Sequence, residues 1–283
     1  MGKRYIMLIL EKYIGRHIDK NIFWQTLKDN KISILIFSFA LAFYSALVVS
    51  IFPTVEKFGG LEEYWAALPE AMKAFFSAQE IGFTTLEGFL TIEFVFMWIL
   101  ITAAFVISLA MKFVVKEVEE GTMELLLSYP ISRKKLIISR SLAALIGIFV
   151  LISATILAIL ITAHSKGIEV HEFYVIKFGF VGFFLCLVIY SYSLVFSCIF
   201  NERSKASFSV IGLTAVFYIL DVFAKLSDKV KDFHFLSIFK YYDPQGVLSK
   251  GDIYWSGIGI LLLISIICFI ISLIVFERKD IKT

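Results

Sequence analysis

Six stretches long enough to cross a membrane constrain the fold of this chain more than any other feature. Each holds about 20 mostly apolar residues, the length an α-helix needs to cross roughly 30 Å of hydrocarbon. Only helices and closed barrels satisfy their backbone in lipid, and apolar runs without strict alternation exclude the barrel. The predicted spans are residues 32–52, 92–111, 142–161, 175–200, 208–224 and 257–276.

The composition leaves no room for a soluble domain. Hydrophobic residues make up 59% of the 283 residues and charged residues 18%, which is too little polar surface for a soluble protein of this size. We therefore predict an all-α polytopic membrane protein, with residues 1–283 forming a single transmembrane domain. A lipid membrane is its predicted surroundings, and the plasma membrane its predicted location.

The distribution of Lys and Arg predicts the orientation of the spans. If residues 1–31 are cytoplasmic, the inner segments hold 18 of the 27 basic residues but only 10 of the 24 acidic residues. An excess of basic residues marks the cytoplasmic side. Both termini and the connector at 112–140 are therefore predicted to be cytoplasmic, whereas segments 53–91 and 225–256 are predicted to lie outside.

Two segments beside the spans have readable local patterns. Ile6, Leu10, Ile14 and Ile18 recur at every fourth position, which predicts an amphipathic helix over 3–20 lying on the membrane surface. In the second outer segment the run YYDPQG is typical of a turn.

The chain lacks the motifs of several chemical functions. It contains no GxxxxGK[ST] phosphate-binding loop and no HExxH zinc motif. Its three cysteines fall inside predicted spans without CxxC spacing, so no metal site is predicted. We predict a non-catalytic chain with no cofactor of its own and no nucleic-acid partner.

Three charged residues lie near the outer ends of predicted spans: Glu93, Lys177 and Asp221. Ionisable groups within a membrane are costly and often functional, so each is a candidate for contact with a transported molecule or an interface. The ordinary alternative is pairing or snorkelling at the membrane surface, as for Asp221 with Lys225 four positions later. The spans hold no further buried charges of the kind that a proton-coupled carrier would need.

The connector at 112–140, KFVVKEVEEGTMELLLSYPISRKKLIISR, carries six basic and four acidic residues between two apolar spans. Gly121 is expected to break or bend the helix that leaves the second span. A short amphipathic helix is then predicted from Thr122, with Pro130 ending it and Ser132 capping the helix that follows. Such a helix either rests on lipid or docks in a groove of another protein.

The connector resembles the signature of the ABC-2 type permease family, membrane subunits of ABC exporters. The pattern E-x-E-x-G-T-x-E-x-L-L-x-x-P-x-S-R is written here by Glu117, Glu119, Gly121, Thr122, Glu124, Leu126, Leu127, Pro130, Ser132 and Arg133. Weaker similarities follow in the same order along the family's sequences: FWQTLKDNKISIL before the first span, NERSKA after the fourth, and FHFLSIFKYYDPQGVLSKGD before the sixth.

This resemblance implies that the connector is a coupling helix that inserts into a separate cytosolic ATPase subunit. ATP and Mg²⁺ would bind to that ATPase, and two permease chains, identical or related, would form the pathway. The apolar contact would come from Met123, Leu126, Leu127 and Tyr129. The acidic contacts would come from Glu117, Glu119, Glu120 and Glu124. Gly121 and Pro130 would set the bends.

Two other functions stay open from the residues alone: an ATP-independent carrier or channel, and a membrane-embedded enzyme. The first is weakened by the lack of paired, Gly- or Pro-interrupted spans with inverted symmetry. The second is weakened by the lack of a cluster of His, Cys, Asp or Glu on one helix face. Spans rich in Phe, Ile and Leu favour a hydrophobic or amphipathic cargo over an ion.

Overall fold

The computed structural model describes residues 18–57, 67–69, 72, 85–129 and 131–280. In this part of the chain the secondary structure is helical, with no β-strand. The helices are α1 (Lys20–Lys57), α2 (Leu86–Phe113), α3 (Val115–Glu119), α4 (Met123–Ser128), α5 (Arg133–Lys166), α6 (Glu172–Ile199), α7 (Arg203–Leu226), α8 (Asp228–Lys231), α9 (Pro244–Lys250) and α10 (Trp255–Arg278).

Six of these helices, α1, α2, α5, α6, α7 and α10, are long and apolar enough to cross a membrane. Each contains one of the predicted apolar stretches, so the predicted all-α polytopic fold is confirmed. The helices extend past the apolar cores because regular hydrogen bonding continues where the chain leaves hydrocarbon. The predicted surface helix over 3–20 lies outside the described residues, apart from its last three positions.

Local sequence explains where two of the helices begin. α2 starts earlier than its apolar stretch, because the Thr85 side chain caps it by accepting a hydrogen bond from the Gly88 N–H at 3.2 Å. The run YYDPQG, predicted as a turn, instead begins α9. Asp243 caps this helix by accepting from the Gly246 N–H at 2.9 Å, and Pro244 takes the first helical position. The turn prediction was wrong because Asp-Pro also starts helices.

Glycines set how closely the long helices approach one another. A Cβ on Gly182 of α6 would lie 2.4 Å from the Trp98 ring of α2, so the ring packs directly against the α6 backbone. Gly147 of α5 lies against Ile34 of α1 in a similar way. Small residues at such crossings allow close approach, which stabilises helix pairs in lipid. As a result α6 packs between α2, α5, α7 and α10.

The starts of α1 and α5 and the ends of α6 and α10 lie at one end of the helix bundle. The Asp19 N–H, before α1, donates to Ser139 Oγ of α5 at 2.8 Å. Lys279 Nζ, after α10, donates to the carbonyl of Phe200, after α6, at 2.6 Å. Because α3 and α4 also lie at this end, we call it the connector end. Residues 18–20 and 278–280 are therefore on the same side of the bundle as the connector.

Candidate functional site

The connector folds into two short helices between α2 and α5. At Val114 the backbone leaves the helical conformation, and the freed Val115 N–H donates to Ser197 Oγ of α6 at 3.1 Å. Gly121 separates α3 from α4 with a φ of 71°, a left-handed conformation that glycine adopts at little cost. Ser132 then caps α5, its hydroxyl accepting from the Lys135 N–H at 3.3 Å. The predicted break at Gly121 and the predicted cap at Ser132 are confirmed, whereas Pro130 lies outside the described residues.

Glu117 is already paired within the chain. Its two carboxylate oxygens each lie 2.7 Å from a guanidinium nitrogen of Arg140, in α5. Arg140 is only 8% exposed and also donates to the carbonyl of Phe113, the last residue of α2. A bidentate pair of this kind is among the stronger charge-assisted contacts. It fixes α3 against the start of α5, so Glu117 lies at the base of the connector.

The other acidic residues of the connector have different surroundings. Glu119 accepts a hydrogen bond from the backbone N–H of Arg203, the first residue of α7, at 3.1 Å. Glu120 pairs with Lys116 one turn earlier at 3.6 Å, a contact exposed to solvent. Glu124 is exposed in the first turn of α4. Glu119, Glu120 and Glu124 are all exposed, whereas Glu117 is half-buried.

The apolar residues of α4 divide between the bundle and the surface. Met123 is 0% exposed and belongs to the hydrophobic core, and Leu127 packs against that core. Leu126 is half-buried. Leu125 and Tyr129 are 68% and 64% exposed. The most exposed apolar residues here are thus Leu125 in α4 and Tyr129 directly after it, and Leu125 was missing from the predicted contact set.

Arg133 joins the connector to the last long helix. Its Nη1 donates to the carbonyls of Phe276 at 3.0 Å and Lys279 at 2.5 Å, and its guanidinium lies over the Phe276 ring at 5.6 Å. Lys134 adds an ion pair with Glu277 at 2.9 Å. A cation at a helix C-terminus is favoured by the helix dipole, so these contacts stabilise the end of α10.

Lys279 extends this network to α6. Its ammonium group donates to the carbonyl of Phe200, the residue that follows the last turn of α6. Burial lowers the pKa of Lys279, with an opposing effect from nearby Cys198. The ends of α6 and α10 and the start of α5 are therefore linked by hydrogen bonds at the connector end.

A cavity of about 520 Å³ lies between α2 and α7. Most of its walls are apolar, and Arg203 at the connector end is the charged residue that lines it. The described lining residues are Phe96, Ile99, Leu100, Ala103, Ala104, Ile107, Ser108, Met111, Arg203, Ser207, Ile211, Thr214, Ala215, Tyr218, Ile219 and Phe239. Glu119 of the connector therefore contacts the residue that lines the connector end of the cavity.

Glu93, Lys177 and Asp221 lie apart from this cavity wall. Glu93 is exposed, and its carbonyl accepts from the Tyr44 hydroxyl at 2.9 Å. Lys177 donates to the carbonyl of Gly251 at 2.7 Å. Asp221 is 2% exposed and contacts the side chains of Lys225 and His234. Among the described residues none of the three lines the cavity, so their predicted contact with cargo stays a prediction.

Asp221 is the centre of a polar cluster at the end of the bundle away from the connector. Its carboxylate lies 2.8 Å from Lys225 Nζ and 2.7 Å from His234 Nε2. The Lys225 pair was predicted from the spacing of four, whereas His234 comes from the segment after α7. The cluster ties this segment to the end of α7.

Comparison with known proteins identifies a related family. The family model described as ABC-2 family transporter protein matches residues 18–281, which is most of the chain. No curated protein matches the chain.

In the part of the chain that the structure describes, no three His, Cys, Asp or Glu side chains are grouped so that they could hold a metal ion.

Proposed function

The chain belongs to the ABC-2 family of transporter proteins and is a multi-pass membrane permease component of an ABC transporter; from this premise we propose that it drives export by coupling to a separate ATPase through α4. ATP and Mg²⁺ would bind to the partner, since this sequence contains no phosphate-binding loop. The chain itself would be non-catalytic.

The observation that carries this proposal is the exposed apolar pair formed by Leu125, on the short helix α4, and Tyr129, directly after it. A six-residue helix is not stable by itself in water. α4 is held by the buried Met123 and by the Glu117–Arg140 pair at its base. A rigid helix that presents a leucine and a tyrosine is suited to insertion in a groove of another protein.

Two sets of contacts link the connector to the long helices, and both would transmit a movement of α4. The first route runs through Glu119 to the N-terminus of α7, which forms one wall of the cavity. The second runs through Arg133 to the C-terminus of α10. Because packed helices move as rigid elements, a shift of α4 would displace α7 and α10 relative to α2.

The cavity between α2 and α7 is this chain's proposed share of the transport pathway. Its mouth at Arg203 lies beside the connector, so opening and closing could follow movement of α4. A second permease chain, identical or related, would supply the opposite wall. The excess of basic residues in the segments of the connector end supports a cytoplasmic position for this end. The plasma membrane as the location is part of the same proposal.

Capture of the ATPase tests the proposal. The full chain would be co-expressed with each candidate Walker-motif ATPase from the same organism and purified in mild detergent, and the ATPase bound per permease chain would be measured. Leu125→Glu and Tyr129→Glu should each lower capture at least about tenfold, because each buries a charge in an apolar contact.

Phe233→Glu is the matched control, since Phe233 is 56% exposed at the opposite end of the bundle. It places the same new charge on an exposed aromatic residue and should leave capture unchanged. Wild-type capture in both connector variants would refute docking through α4.

A further inference from the structure

The cavity between α2 and α7 is long and has one charged end. Its α2 wall runs from Phe96 to Met111, about 22 Å of helix at 1.5 Å per residue. Its α7 wall runs from Arg203 to Ile219 in the opposite direction. Phe96 and Tyr218 meet at one end with ring centroids 5.6 Å apart, which leaves Met111 and Arg203 at the other. The cavity therefore has an aromatic end and a cationic end.

The walls between these ends offer little to a polar ligand. Leu100, Ala103, Ile107 and Ile211 are typical of the lining. The hydroxyl of Thr214 is already satisfied, since it lies 2.6 Å from the Tyr192 hydroxyl and donates to its own helix. A small ion would lose its hydration here without replacement ligands, which is costly. An apolar chain would instead gain from leaving water.

Arg203 is free to bind an anion. Its backbone N–H is taken by Glu119 at 3.1 Å, while its guanidinium has no carboxylate partner among residues 18–57, 67–69, 72, 85–129 and 131–280. Glu202 beside it pairs with Lys205 at 2.6 Å. A half-buried guanidinium binds a carboxylate or phosphate through two parallel hydrogen bonds. A cationic head group at the same place would be repelled.

We propose that the cargo is an amphiphile with an anionic head and an unbranched apolar tail. The head pairs with Arg203 at the connector end, and the tail lies along α2 and α7 towards Tyr218. This inference rests on the proposed function, in which the cavity belongs to the transport pathway. With the connector end in the cytosol, the head group would enter from the inner leaflet.

Photoactivatable probes that differ only in the head group test this inference. The complete permease–ATPase complex would be placed in nanodiscs of zwitterionic lipid. It would then be labelled with one alkyl tail, bearing a diazirine near its end, attached to a carboxylate, a hydroxyl or a trimethylammonium head. Half-saturating concentrations and the labelled residues, located by mass spectrometry, would be compared. The carboxylate probe should saturate at the lowest concentration and label the α2 and α7 walls.

Substitutions at Arg203 isolate the head-group contact. Arg203→Gln should raise the half-saturating concentration of the carboxylate probe about tenfold, the effect of losing one charge-assisted contact. It should not change binding of the hydroxyl probe. Arg203→Lys should retain most of the preference for the anion. Lys205→Gln, two positions along the same helix and exposed, is the control and should behave as wild type.

Two results would overturn the inference. One is equal labelling by all three probes, with no effect of Arg203→Gln. The other is protection of the cavity walls from every probe, as expected if a second copy fills the groove. ATPase capture is measured on the same samples. Retained capture without a head-group preference would refute the cargo class alone, and loss of capture in wild type would refute the proposed function.

Discussion

Glu117 and Arg140, 23 positions apart within the connector, are held together by two oxygen–nitrogen contacts of 2.7 Å. The same guanidinium donates to the carbonyl of Phe113, where α2 ends. One side chain thus joins the end of α2, the short helix α3 and the start of α5. The connector is therefore closed at its base, and α4 is presented on a fixed loop rather than on a flexible one.

Loss of this pair should destabilise the protein. Glu117→Gln leaves the buried Arg140 cation without its carboxylate, which should lower the free energy of unfolding by about 1–3 kcal/mol. The measurement is the unfolding transition of the purified chain in mixed micelles. Glu120→Gln is the matched control, because it removes an exposed pair at 3.6 Å and should cost less than about 0.5 kcal/mol. Equal effects of the two variants would contradict the role of the clamp.

The bend between α3 and α4 should depend on glycine at position 121. Gly121→Ala places a Cβ on a residue with a φ of 71°, although no neighbour lies within 4 Å of that Cβ. The substitution should therefore lower the free energy of unfolding by about 1 kcal/mol, because it strains the backbone. Gly212→Ala, in α7 and equally unobstructed, should be neutral or slightly stabilising because Ala favours helices. The difference between the two unfolding free energies isolates the strain at Gly121.

Arg133 should protect the end of α10 from local opening. Arg133→Gln removes the guanidinium from the carbonyls of Phe276 and Lys279. Amide hydrogen exchange over the last turn of α10 should become about tenfold faster, as expected for loss of a charge-assisted hydrogen bond. Lys135→Gln, two positions away, should leave this exchange unchanged. Unchanged exchange in Arg133→Gln would show that the contact does not hold the helix end.

The long helices could be predicted from the sequence because hydrocarbon imposes a strong requirement on length and apolarity. Local signals also succeeded where neighbours within four residues decide the outcome, as for the Ser132 cap and the Asp221–Lys225 pair. The prediction of a turn at YYDPQG was wrong because Asp243 and Pro244, a pair common in turns, here begin a helix.

The candidate site was harder to predict because it depends on distant contacts. The Glu117–Arg140 pair spans 23 positions and the Arg133 contacts with α10 span more than 140, beyond what spacing can indicate. The sequence pattern predicts a short amphipathic helix from Thr122, which contains both Met123 and Leu125. The pattern does not say which of these side chains meets the bundle, since the position of α4 is set by contacts outside it.

Met123 and Leu125 of α4 lead to opposite expectations, because the first side chain is buried and the second is exposed. Met123 is fully buried, so Met123→Ala should lower the free energy of unfolding by about 2–4 kcal/mol through lost packing. Leu125 is mostly exposed, so Leu125→Ala should change stability by less than about 0.5 kcal/mol while weakening ATPase capture. Unfolding in mixed micelles and ATPase bound per chain would be measured on the same preparations. If Met123 rather than Leu125 formed the docking contact, Met123→Ala would keep wild-type stability and lose the ATPase, the reverse of the result expected here.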